Sequence, residues 1–225
     1  MLLDLLRGGS FTPYTVITHV AVILLMILLI LPVHEFAHAG VAYLLGDKSI
    51  KRRGRLSLNP LVHIDIAGAL MMLLVGYGWA KPVQVDPSRF KNPKLYMGIT
   101  ALAGPVSNVL CGMLGGGVFV ILAHTMPVSW FVFGFGKYVS LFLQYYISIN
   151  VSLAVFNFIP IPPLDGSKVL FVFLPDKAVN FFYRYQHYSF ILLFALLYLG
   201  VLTPLISFCS GYLFDLCLFF DPMLV

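Results

Sequence analysis

Apolar residues fall in long runs along this chain, and the polar ones gather between them. Val16 to Leu31 is almost wholly apolar, and the pattern continues past Pro32 to Leu45. About 20 apolar residues span a bilayer. This run therefore predicts a helix that starts near Thr15, kinks at Pro32 and ends before Gly46. A polar stretch follows, Asp47 to Asp65. Ile66 to Tyr77 is apolar but too short to span, which predicts a re-entrant or deeply buried segment. Trp79 to Lys94 holds Pro82, Pro87 and Pro93 and predicts an extended loop or irregular hairpin. Leu95 to Ala123 and Val139 to Ile159 predict the second and third long helices. Gly104, Gly112 and Gly115 in the former would let neighbouring helices approach closely. The turn Pro160-Ile161-Pro162-Pro163 closes the third helix, and a short amphipathic piece covers Ser167 to Leu174. Tyr188 to Leu202 begins a fourth span that runs on through Pro204 to Phe208, followed by an apolar tail, Ser210 to Phe220.

These elements predict an all-α membrane protein, a polytopic transmembrane helix bundle with a short re-entrant, β-hairpin-like segment between the first two core helices. One domain is expected over residues 1–225, with its core at 15–175 and C-terminal helices at 186–222. Composition sharpens the contrast with a soluble protein: 60% of the 225 residues are hydrophobic and 10% are charged, against about 25% charged in ordinary soluble domains. The formal net charge of +5 does not point to nucleic acid, because the basic residues cluster between apolar segments. Twelve of the fourteen lie either at Lys48–Lys94 or at Lys168–Arg184. The positive-inside rule places both regions in the cytoplasm and the N-terminus outside. Cys111, Cys209 and Cys217 are isolated in apolar stretches and suggest small buried hydrophobes, not a disulfide framework. The N-terminal run shows no small-residue cleavage pattern, so no removable signal peptide is expected.

The chemistry concentrates at His34-Glu35-Phe36-Ala37-His38. Residues four apart share a helix face, so two imidazoles at this spacing can ligate one zinc ion with a glutamate beside them. Glu35 is the only glutamate in the chain. An ionisable group at membrane depth costs about 2.5 kcal/mol or more and is functional by default; otherwise these groups would merely mark a helix end at the interface. Catalytic zinc takes three protein ligands and keeps one open position. Asp165 follows a membrane helix and a rigid proline turn and precedes Gly166, yet local chemistry ranks it only somewhat above Asp65 or His63. His19, His124 and His187 sit toward helix ends, away from the cluster.

Three motifs in order give a specific resemblance. His34–His38 matches HExxH, Gly104-Pro105-Val106-Ser107-Asn108 matches GPxxN, and Asn157 to Gly166 matches NxxPxPxLDG without a mismatch. Arg55-Leu56-Ser57-Leu58-Asn59-Pro60 and Gly78-Trp79-Ala80-Lys81-Pro82-Val83 resemble connecting segments of the same group. From about Pro32 to Leu170 the chain resembles the site-2 protease family of intramembrane zinc metalloproteases, in its small prokaryotic form. The resemblance implies zinc, one ion per chain, on His34, His38 and Asp165, and a general base at Glu35. It implies that Asn108 donates to the developing oxyanion and that Asn157 supports the ligands or touches substrate. Either asparagine could instead serve only as an interhelical hydrogen-bond partner.

The expected activity is endopeptidase cleavage of transmembrane proteins or peptides in the lipid bilayer, in a multi-pass protein of a prokaryotic plasma membrane with the active site nearer the cytoplasm. A helical substrate hides its carbonyls in its own hydrogen bonds, and the segment from Trp79 to Pro93 offers an edge that would hold it extended. A membrane zinc transporter or a metal-binding membrane scaffold is the competing use of the same groups. One compact cluster, with no string of polar residues along a path, favours hydrolysis.

Overall fold

The computed structural model describes residues 13–75, 78–222 and 224. Asp4, Arg7 and the side chain of His19 lie outside what it describes, as do Gly76 and Tyr77. The described residues are helical or irregular, with no strand among them. Two compact units divide the chain, Met1–Lys91 and Asn92–Val225.

In the first unit α1 (Pro13–Leu25) passes through five residues of wider π-helix, Met26–Ile30, into α2 (Leu31–Leu45). The irregularity was expected at Pro32 and lies immediately before it. Proline has no N–H to donate, and its ring crowds the carbonyl four residues earlier. A π-turn there takes up the mismatch while the helix continues. Pro32 thus occupies the first turn of α2. Short helices α3 (Ser49–Arg52), α4 (Pro60–His63) and α5 (Ile66–Val75) follow. Asn59 caps α4 by accepting from the Leu61 amide at 3.0 Å, and Asp65 caps α5 by accepting from Gly68 at 2.9 Å. The apolar segment from Ile66 is therefore a helix of three turns, too short to span. Residues 78–86 have no regular structure. One end of this stretch is tied down by the Lys81 amide, which donates to the His63 carbonyl at 2.8 Å.

The second unit is built on α6 (Pro93–Thr125) and α8 (Gly134–Phe158), with the short α7 (Val128–Val132) between them. Then come α9 (Asp165–Phe171), α10 (Asp176–Arg184), α11 (Gln186–Tyr198) and α12 (Thr203–Cys217). Phe119, Leu143, Ile147, Val151, Cys217 and Leu218 form the buried cluster that joins α6, α8 and α12. Gly116 is what lets α12 come this close. A β-carbon there would stand 1.9 Å from the Cys217 carbonyl oxygen. The expected fourth span is broken. Gly200 adopts φ 73° and Val201 donates back to Leu196 at 3.0 Å, a Schellman ending for α11. Pro204 then opens α12, and the two helices meet at 79°.

Val20–Leu45, Pro93–Thr125 and Gly134–Phe158 are long and apolar enough to cross a membrane, and the bent α11–α12 pair would make a fourth span if counted as one. The chain is an all-α, multi-pass membrane protein.

Replacing Gly116 by alanine is expected to overpack the α6–α12 contact and lower stability by about 1–3 kcal/mol. Gly117→Ala, whose new β-carbon would meet its nearest neighbour, Phe219, at 3.5 Å, is expected to be nearly neutral. Thermal unfolding of both variants in detergent checks the pair, and an equal response would contradict the packing argument.

Candidate metal centre

The helical spacing of the HExxH residues does what the sequence predicts. His34 and His38 sit one turn apart on α2 and are 4% and 8% exposed. Their Nε2 atoms are 3.1 Å apart, with the rings at 85° to each other. Two nitrogens each ~2.0–2.1 Å from one tetrahedral zinc stand about 3.3 Å apart, so the pair is spaced as two ligands of one ion would be. Glu35, on the adjoining face, is buried, and its Oε2 accepts from the Val83 amide at 3.0 Å. The donor is a backbone group from the irregular stretch after α5. Sequence reading assigned that stretch to substrate and missed its contact with the glutamate.

Past the end of α2 lies a second polar centre that the sequence reading passed over. Asp47 is wholly buried. Its Oδ1 accepts from the amide and hydroxyl of Ser49 and lies 3.5 Å from Arg89 Nε. Its Oδ2 accepts from the Asp86 amide at 2.9 Å and lies 3.4 Å from Arg53 Nη2. Burial pushes the carboxyl's pKa up, but the bonds from Ser49 and Asp86 and the charge of Arg53 outweigh that and hold it below the ordinary 3.8. His63 is also buried, with Nε2 donating to the Ser57 carbonyl at 2.7 Å, while its own carbonyl holds Lys81. With Asp65 spent on capping α5, both of these alternatives to Asp165 have structural employment.

In the second unit Asp165 opens α9, immediately after the Pro160–Pro163 turn, whose Pro162–Pro163 bond is cis. The residue is buried, 7% exposed, and Oδ1 accepts from Lys168 Nζ at 3.2 Å. Gly166 explains the Asp-Gly pair of the motif. A β-carbon there would lie 2.2 Å from the Phe158 carbonyl oxygen, so only glycine lets α9 start against the end of α8. Asn108 is 1% exposed and donates from Nδ2 to Asn150 Oδ1 at 2.9 Å; Asn150 donates in turn to the Tyr146 carbonyl at 2.9 Å. Asn150 was not singled out from sequence. Its only signal is a carboxamide in an apolar helix, two turns before Asn157 on the same face. Asn157 itself donates to Leu153 of its own helix at 3.0 Å. His124 lies 3.5 Å from Asp221, far along the chain from the motifs.

His34, His38 and Asp165 together are a group of buried donors that could hold a metal ion. Two imidazole nitrogens and one carboxylate oxygen are a zinc-type set that leaves a fourth position open.

The low Asp47 pKa has a sign that can be tested. A carboxylate whose folded value lies below its unfolded value contributes stability above the unfolded value and loses it as pH falls through the folded one. Asp47→Asn is expected to destabilise the protein at pH 7 by about 1–3 kcal/mol, with the gap to wild type closing below about pH 3.8. Unfolding measured from pH 7 to pH 3 checks this, and a gap independent of pH would count against an ionised Asp47.

A family model described as peptidase family M50 matches residues 135–199. The Bacillus subtilis protein YwhC, named as a zinc metalloprotease, is 34% identical over 199 residues, covering 88% of this chain and 84% of that protein. Rip2 of Mycolicibacterium smegmatis is 29% identical over 203 residues, 85% of this chain and 71% of its own. MJ0611 of Methanocaldococcus jannaschii is 32% identical over 141 residues, 61% of this chain and 62% of its own. Both carry the same kind of name. No solved structure matches the chain. With a relative of this similarity aligned along most of both lengths, the chain belongs to peptidase family M50, the site-2 protease family of zinc metalloproteases.

Proposed function

We propose that this metalloprotease is a single-domain enzyme, residues 1–225, that hydrolyses peptide bonds of transmembrane segments inside the bilayer, with one zinc ion per chain on His34, His38 and Asp165. When bound, zinc lowers the pKa of water toward about 7 and polarises a scissile carbonyl. The observation that carries the reading is the state of Glu35. The only glutamate of the chain is buried beside the paired imidazoles, and a backbone amide fixes one of its carboxylate oxygens. Glu35 takes the proton of the attacking water and returns it to the leaving amine. The Val83 N–H keeps that carboxylate pointed in one direction through both transfers. Asn108, its carboxamide plane set by Asn150, donates to the oxyanion as it forms, and Asn157 supports the ligands or touches substrate.

The substrate arrives extended along the irregular stretch from Trp79. Lys81 and Val83 spend their amides on His63 and Glu35. In an extended chain the groups of alternate residues face the other way. There Arg53 holds the Gln84 carbonyl and Pro82 has no N–H, so main-chain pairing would use the Ala80 groups, the Pro82 carbonyl and the Gln84 N–H. The basic residues flanking the apolar helices support a cytoplasmic placement of this end of α2. Relatives from two bacteria and an archaeon support a prokaryotic plasma membrane.

The test is cleavage of a transmembrane peptide by purified protein in lipid nanodiscs. Glu35→Gln is expected to lower turnover by about 10²–10⁴-fold while retaining zinc. A strong chelator is expected to abolish cleavage, and added zinc to restore it. Cleavage that resists the chelator, or a Glu35→Gln enzyme within twofold of wild type, would contradict the assignment.

A further inference from the structure

A wholly buried aspartate immediately after the C-terminus of α2 is an unfavourable choice for a helix end. The carbonyl end of a helix carries partial negative charge and disfavours an anion nearby, and burial adds to the cost. As a helix stop, Gly46, at φ 128°, would do without it. The bonds Asp47 makes show what the charge is for. Its donors come from α3 and its flank on one side, Ser49 and Arg53, and from Asp86 and Arg89 on the other. Arg53 adds a second tie, donating to the Gln84 carbonyl at 2.7 Å, and Arg89 closes the loop by donating to Asp86 Oδ2 at 2.9 Å.

The anchored stretch leads directly to the reaction. Gln84 and Asp86 are held through Asp47 and Arg53, and Val83, the next residue back, donates its amide to Glu35. Residues 83–86 have no helix or strand of their own to fix them. Pro82 sets the backbone entering the stretch, but nothing in a proline directs the following amide toward a carboxylate. The Asp47 cluster supplies that direction, since it fixes the segment within three residues of the donor.

We propose that Asp47 is a positioning residue of this protease, which acts through the Gln84–Asp86 backbone and Arg53 to hold the Val83 N–H against Glu35. The inference rests on the reading of Glu35 as the base. It makes Asp47, twelve residues beyond Glu35, part of the apparatus that aims the catalytic carboxylate.

The experiment compares Asp47→Ala and Arg53→Gln with wild type by three readouts: zinc per chain, kcat and KM on a transmembrane peptide, and hydrogen exchange at the Val83 amide. Arg53 is 38% exposed, so its replacement tests the same tie without emptying a buried site if Asp47→Ala does not fold. Both variants are expected to keep zinc and to leave KM within about twofold, while kcat falls on the order of tenfold or more for Asp47→Ala and severalfold for Arg53→Gln. Exchange at Val83 is expected to quicken in both. Folded variants with wild-type kcat, or with Val83 as protected as in wild type, would overturn the proposal. Wild-type protein that neither binds zinc nor cleaves would instead overturn the reading of Glu35, and the exchange data would then show on their own whether Asp47 holds the Val83 amide.

Discussion

An ionisable group inside an apolar helix bundle has to be given partners, because water is not there to supply them. Three buried polar residues of this protein show that constraint at work. Glu35 takes a backbone amide, Asp47 takes amides and guanidinium groups, and Asn108 takes Asn150. The unstructured stretch at 78–86 lies beside two of these groups, Glu35 and Asp47. The two histidines meet as a pair, with Nε2 atoms 3.1 Å apart. Two imidazole nitrogens at this spacing could serve as ligands of one cation.

Much of this was legible in the sequence. The three long apolar runs became helices within a few residues of the expected limits, because nothing competes with helix formation over 20 or more apolar residues in a membrane. HExxH carries its own geometry, since four residues of helix fix the face that both histidines share. Asp165 was singled out by the proline turn and the glycine after it. The close approach of Gly166 to Phe158 gives that pairing a steric reason.

What the sequence hid depends on partners distant along the chain or on backbone. Val83 reaches Glu35 through its amide, a group every residue but proline has, so no side-chain pattern could announce it. Asp47 looked like the first polar residue of a loop, and only the arrival of Asp86 and Arg89 from some forty residues away makes it a buried hub. The bend between α11 and α12 was written in Gly200 and Pro204, but an otherwise apolar run concealed it. The helix at Asp176–Arg184 carries no motif and mixes aromatic with charged residues, so neither hydropathy nor chemistry marked it.

The measurement that bears most directly on the metal centre is zinc K-edge X-ray absorption on the purified protein, with zinc content determined alongside for Asp165→Ala. Wild type is expected to hold one zinc per chain in a shell of nitrogen and oxygen alone at ~2.0–2.1 Å, with imidazole scattering from two histidines, and Asp165→Ala is expected to lose most of the metal. A sulfur ligand in that shell, or full zinc occupancy without Asp165, would contradict the assignment of His34, His38 and Asp165.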